Sequence, residues 1–116
     1  MKENIIKTKS YAFALKIVKL FKVLQYQKEY ILSKQLVRST TSVGANVEEG
    51  IQAQSKPDFI HKFSIAQKEV FETHYWIRLL RDSEYINEVI AQELLNDCEE
   101  LQRIITSILV KSKSNI

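Results

Sequence analysis

Hydrophobic residues recur along the chain at steps of three and four in four successive stretches. No stretch alternates apolar with polar residues as a half-buried strand would. The first stretch, over about 9–27, carries Phe13, Leu15, Ile17, Val18, Leu20, Phe21, Val23 and Leu24. This apolar surface is wider than a single seam and wide enough to meet more than two neighbours. From Tyr26 to Tyr30 the phase is lost, which reads as a tight turn although neither Gly nor Pro marks it. A second helix is expected over about 28–53. Ser55-Lys56-Pro57-Asp58 is the clearest boundary: Ser55 is a good N-cap, Pro57 suits a first turn, and Asp58 places a carboxylate at the helix start. The third helix, about 57–82, lines up Phe59, Phe63, Ala66, Val70 and Ile77. Asn87 can cap a fourth, about 88–111, with Leu94, Leu101, Ile105 and Ile108 among its apolar residues. Residues 1–7 read as a frayed lead-in, Thr8 or Ser10 as the first cap, and 111–116 as a polar tail. The expected fold is all-α, a single domain over 1–116 forming an antiparallel up-down four-helix bundle.

The second helix departs from the ordinary amphipathic pattern. Gln35, Ser39, Ser42, Asn46 and Glu49 fall within a strip about 80° wide at roughly 100° per residue. Leu32, Leu36, Val43 and Val47 form the strip beside it. A solvated face lies opposite the apolar one; this polar strip borders it, so its groups are expected to be half-buried and hydrogen-bonded. Ser39, Thr40, Thr41, Ser42 and Gly44 are poor helix formers, so tertiary packing must hold the segment helical. Small side chains also let backbones approach closely. Gly44 is therefore either a point of close helix contact or a local weak spot, and Gly50 either a C-cap or part of a helix that runs on to about Gln54.

Composition narrows the class. Two glycines and one proline leave few breaks. No apolar run nears the roughly 20 residues needed to cross a bilayer, and the first residues lack a signal-peptide pattern, so no membrane partner and a cytoplasmic location are expected. The lone Cys98, set among Asp97, Glu99 and Glu100, reads as structural rather than reactive. The net charge of +3 is unevenly spread. Residues 1–56 hold ten Lys or Arg against four Asp or Glu, a surplus of six, and residues 57–116 hold seven against ten, a deficit of three. Lys9, Lys16, Lys19 and Lys22 climb the first helix at helical steps and are the candidate nucleic-acid-binding residues. No aromatic residue clearly interleaves with them, so such binding would be electrostatic and unspecific. The same asymmetry can instead draw the basic and acidic thirds together within a bundle or between subunits.

Catalytic, metal and cofactor sites are not expected. Two glycines cannot build a phosphate-cradling loop. His61 and His74 are 13 residues apart, about 20 Å along a helix and too far to share a metal. The Glu-x-x-His motif of di-iron bundles is missing, and Ser39 and Ser42 have no histidine base nearby in sequence. Glu69 and Glu72, three apart, are expected instead to pair with Arg38 or Asn46 of the second helix and so fix register.

Gln35-Leu36-x-Arg38-Ser39-x-x-Ser42-Val43-x-Ala45-Asn46-Val47-x-Glu49-Gly50 resembles the signature of the bacterial 23S rRNA intervening-sequence proteins, which is close to Q-L-R-R-S-A-x-S-I-x-A-N-I-x-E-G. The third helix agrees through Phe59, Phe63, Ser64-Ile65-Ala66, Lys68-Glu69, Glu72-Thr73, Tyr75-Trp76 and Leu79-Leu80. Many relatives have Gly-Ser before the glutamate; this chain has Gln67-Lys68 and resembles the branch with lysine there. The resemblance implies a bacterial four-helix bundle encoded within or related to insertions in large-subunit rRNA genes. That family is in turn similar to the accessory protein of diversity-generating retroelements, a strongly basic homopentamer that binds nucleic acid. It implies a homo-oligomer of five copies, with Gln35, Arg38, Ser39, Ser42, Asn46, Glu49, Gly50, Glu69 and Glu72 as structural motif residues.

The function expected from the sequence is that of a non-enzymatic oligomeric bundle that binds RNA or DNA through a basic surface. The alternative is a protein-interaction scaffold without nucleic-acid binding. The two part at one observation: whether the four lysines share an open face or are paired with the acids of the third and fourth helices.

Overall fold

The computed structural model describes residues 2–114 and places all of them in four helices and the turns between. These are α1 (Lys2–Tyr26), α2 (Leu32–Ile51), α3 (Lys56–Asp82) and α4 (Glu88–Ser114). Each helix packs against its sequence neighbours and α1 closes on α4, while the diagonal pairs α1/α3 and α2/α4 have no Cα atoms within 8 Å. The result is an up-down four-helix bundle, 47 Å long and about 20 Å across (21 × 19 Å).

The helix boundaries follow from identifiable groups. Ser55 accepts the Asp58 amide at 3.2 Å and Pro57 occupies the first turn of α3. Asn87 accepts the Ile90 amide at 2.8 Å at the head of α4. Three boundaries differ from expectation by three residues or more, the starts of α1 and α2 and the end of α4. α1 starts at Lys2, not near residue 9, because Ile6 is fully buried and lies in helical phase with Phe13, Ile17 and Leu24. Core packing holds the turns expected to fray; Ser10, far from capping a helix, bonds back to the Lys7 carbonyl at 3.2 Å inside it. At the other end α4 continues to Ser114. Met1 of the expected lead-in and residues 115–116 of the expected tail lie outside the described residues.

The turn between α1 and α2 explains why the second helix begins at Leu32 rather than Lys28. Lys28 has φ 66°, a left-handed conformation that stops α1 without a glycine. The buried Glu29 then accepts the amides of Ile31, Leu32 and Ser33 at 3.2, 2.9 and 2.7 Å. Burial pushes its carboxyl upward, but these amides and Ser33 outweigh that and hold it below the ordinary range. Glu29 thus satisfies three of the orphan donors at the head of α2.

Apolar side chains from all four helices form one core, with Ile6, Ile17, Leu24, Leu36, Phe63, Ile77 and Ile105 fully enclosed. The two glycines of α2 play different parts. A methyl group on Gly44 would have its nearest contact at 4.0 Å, the Ser10 carbonyl oxygen, so that position has room. On Gly50 it would lie 2.7 Å from the Phe63 ring and 3.2 Å from Lys62 Cβ. The close approach foreseen at Gly44 occurs at Gly50, buried one residue before the end of α2. There the Phe63 ring, stacked on Phe59 at 4.5 Å, fills the space a side chain would take.

Candidate interaction surfaces

The polar strip of α2 lies along α3 and divides by depth. Ser39 is buried and its hydroxyl meets that of Thr73 at 2.8 Å; Thr73 in turn reaches the Glu69 carbonyl at 2.8 Å, and Ser39 the Leu36 carbonyl at 3.1 Å. Either proton order along this chain gives both hydroxyls a donor role and ends on a carbonyl, so neither is left orphaned. Thr40 and Thr41 donate to carbonyls four residues back, each at 2.8 Å, which is how the threonines of this segment are accommodated in a helix. Further out, half-buried Asn46 donates to the Ser42 carbonyl at 2.9 Å and hydroxyl at 3.1 Å, and Gln35 is half-buried above. At the rim Glu49 accepts Lys62 at 2.9 Å.

Glu69 and Glu72 do not pair with Arg38 or Asn46 as expected. Asn46 is spent inside α2, and Arg38 points outward without ion-pair contact among the described residues. The Glu69 carboxyl lies instead beside the Ser42 hydroxyl and the Glu72 carboxyl. Burial, then the neighbouring Glu72, push its pKa up; the Ser42 hydroxyl and the charge of Arg38 oppose this without cancelling it. Glu72 also accepts the Trp76 indole N–H at 3.2 Å. This edge of α2 and α3 holds two adjacent carboxyl groups with no cation in contact among the described residues.

The four lysines of α1 separate into two pairs. Lys9 meets Glu100 at 3.1 Å, and Lys16 bridges Glu93 at 3.0 Å and Asp97 at 2.9 Å, all from α4. Asp97, then Glu93, raise the Lys16 pKa above its ordinary value. These ion pairs rim a groove of about 180 Å³ floored by Ala12, Phe13 and Leu101. Lys19 and Lys22 lie on the outer face of α1, exposed and without an acidic partner among the described residues. Tyr11, Leu15 and Tyr26 lie on that same face at steps of four, four, three and four through Lys19 and Lys22. Sequence reasoning missed this interleaving because it weighed Leu15 with the core; the spacing 11, 15, 19, 22, 26 was the available signal. The outer face of α3 likewise exposes Phe71 and Tyr75, with Trp76 edge-on to Tyr75 at 5.1 Å and the Arg78 guanidinium 5.7 Å over its ring.

Other candidate groups are accounted for locally. Cys98 is buried between α3 and α4, and burial, then Asp97 and Glu99, push its thiol up to about 12, far from a reactive thiolate. His74 faces Glu99 at 3.3 Å, while His61 is exposed. No set of three His, Cys, Asp or Glu residues among those described is placed to hold a metal ion, and no described helix is long and apolar enough to cross a membrane.

Comparison with known proteins places this arrangement. A search of curated proteins finds no match. Among solved structures, a protein of unknown function from the S23 ribosomal protein family of Bacteroides thetaiotaomicron is similar over 94% of this chain and 98% of its own, with 47% identity and a TM-score of 0.91. The family model for the 23S rRNA-intervening sequence protein matches residues 2–107, a span that takes in the Ser39–Thr73 contact, the Gly50–Phe63 approach and both outer faces. The chain therefore belongs to the 23S rRNA-intervening sequence protein family.

Proposed function

We propose that this protein acts by assembling rather than by catalysis, as a homo-oligomeric scaffold whose copies join through the outer faces of α1 and α3. The observation that carries this reading is the amount of large apolar surface on those faces. Tyr11, Leu15 and Tyr26 on α1 are 60, 48 and 90% exposed, and Phe71 and Tyr75 on α3 are 62 and 47% exposed. Single exposed apolar residues are ordinary, but a strip running most of a helix is the kind of surface that partners cover. α1 and α3 are diagonal in the bundle, so the strips face opposite ways. Two different patches on opposite sides favour head-to-tail contacts, which close into a ring when the rotation between copies allows. A ring of five is the number implied by the family's similarity to the retroelement accessory protein.

Nucleic-acid binding is the second reading, and it rests on fewer residues than the sequence offered. Lys9 and Lys16 are engaged with α4, leaving Lys19 and Lys22, with Tyr11 and Tyr26 beside them, as the phosphate- and base-contacting set. Light scattering over a concentration series, with a salt-titrated RNA and DNA binding assay on the same sample, tests both readings. Assembly predicts a discrete multiple of the 13.6 kDa chain. A monomer at every concentration would overturn the scaffold reading. Binding that weakens steeply with salt would instead support phosphate contacts.

A further inference from the structure

Lys19 with Lys22, and Glu69 with Glu72, stand without an opposite charge in ion-pair contact among the described residues. On α1, Lys19 and Lys22 lie three residues apart, a rise of about 4.5 Å, between exposed Leu15 and Tyr26. On α3, Glu69 and Glu72 lie at the same separation along the edge beside α2, with exposed Tyr75 next to Glu72 on the outer face. The two carboxyls lie against each other, each with a neutral donor, Ser42 for Glu69 and Trp76 for Glu72, and Arg38 acts on Glu69 only from beyond ion-pair contact. The pairs thus match in spacing and oppose in charge, and each has an exposed tyrosine next to it on its helix, Tyr26 beside Lys22 and Tyr75 beside Glu72.

We propose that these surfaces are the two halves of one contact between copies: Lys19 and Lys22 of one chain dock on Glu69 and Glu72 of the next, while Leu15 and Tyr26 pack against Tyr75. The inference rests on the self-assembly proposed above and specifies its partner surfaces. A symmetric contact of α1 on α1 would bring lysines toward lysines, and α3 on α3 would bring glutamates toward glutamates. Charge therefore selects the unlike pairing, which is also the one that uses both sides of each bundle. The half-buried Glu69 gains most: an incoming ammonium supplies a cation in contact, where the isolated chain has only the more distant charge of Arg38. Tyr75 already carries the Arg78 guanidinium on one face, so this part of α3 accommodates cations beside aromatic rings. The family signature then has a use at its rim as well as in the core, because Ser42 positions one of the two receiving carboxyls.

The test is a charge swap read by light scattering and sedimentation, with circular dichroism melting to confirm folding. Lys22→Glu and Glu72→Lys should each weaken assembly at least tenfold, and the double variant Lys22→Glu/Glu72→Lys should restore it. Should either reversal fail to fold, Lys22→Gln and Glu72→Gln at low salt should give the same direction with a smaller shift. An oligomer indifferent to all four substitutions would overturn this contact while leaving self-assembly standing. A wild-type chain that stays monomeric across the micromolar range would overturn both. If Lys22→Glu abolishes RNA or DNA binding with the subunit count unchanged, the lysines serve nucleic acid and the contact is wrong.

Discussion

The two seams on opposite sides of the bundle are built differently. Between α2 and α3 the helices meet through small residues: Gly50 admits the Phe63 ring, and Ser39 and Thr73 share a hydrogen bond in the interior. Between α1 and α4 the helices meet less intimately, over a groove of about 180 Å³ closed at its rim by Lys9 and Lys16 with three α4 carboxylates. The first seam depends on shape and on satisfied buried groups, which tolerate little change. The second depends on exposed ion pairs, each worth little in water and screened by salt. Stability should therefore be concentrated on the α2/α3 side. The basic residues that made the first helix look like a nucleic-acid surface are partly the fastening of the weaker side.

The largest effect expected from this contrast is at Gly50. Gly50→Ala puts a methyl group into the Phe63 ring, and overpacking of this kind costs about 1–3 kcal/mol. A fall of several degrees in melting temperature checks it; an unchanged melt would mean that Phe63 moves freely and the seam is not tight. Gly44→Ala on the same helix should act in the opposite sense. Its methyl group has room, so the better helix propensity can add up to about 1 kcal/mol.

The Ser39–Thr73 bond sharpens the comparison at a smaller scale. Ser39→Ala should cost about 1 kcal/mol, because it removes one partner of a buried pair. Thr73→Val should cost a similar amount. The double variant should lose less than the sum, since no unmatched hydroxyl then remains. A double-mutant cycle by denaturant titration measures this coupling, and strict additivity would show that the two hydroxyls do not depend on each other.

The parts of this architecture that were legible in the sequence are those decided by local chemistry and phase. Ser55 and Asn87 cap helices because their side-chain oxygens precede free amides, and the polar strip of α2 could be read as half-buried because it borders Leu36, Val43 and Val47. What stayed hidden depends on where another helix lies. Nothing in the sequence distinguishes Gly44 from Gly50 until Phe63 is placed against one of them. Glu29 caps α2 from the far side of a left-handed Lys28, a turn that most chains make with glycine or asparagine. Lys9 and Lys16 differ from Lys19 and Lys22 only in angle around α1, and that angle has meaning only once α4 occupies one side. The candidate contact surfaces belong to the same class: the helical spacing of Tyr11, Leu15 and Tyr26 was present, but their exposure was not.

The smallest effect should come from the ion pairs of the weaker seam. Lys16→Gln removes both bridges to α4 at once, yet Lys16 and Glu93 are largely solvated, so the loss should stay below about 1 kcal/mol and shrink as salt is added. The pH dependence has a definite sign. Because Asp97 and Glu93 raise the folded-state pKa of Lys16, the folded chain holds this proton more tightly than the unfolded one. The contribution is therefore fully present below the ordinary lysine range and fades as pH rises through the raised value. Melting curves of the wild type and Lys16→Gln should be separated at neutral pH and low salt, and should converge in strong alkali and in high salt. Hydrogen exchange should localise the difference: amides facing the α1/α4 groove should open more readily in the variant, with those around Ser39 and Thr73 unchanged. Equal loosening on both sides would mean that the bundle opens as one unit and that the contrast between its seams does not extend to its dynamics.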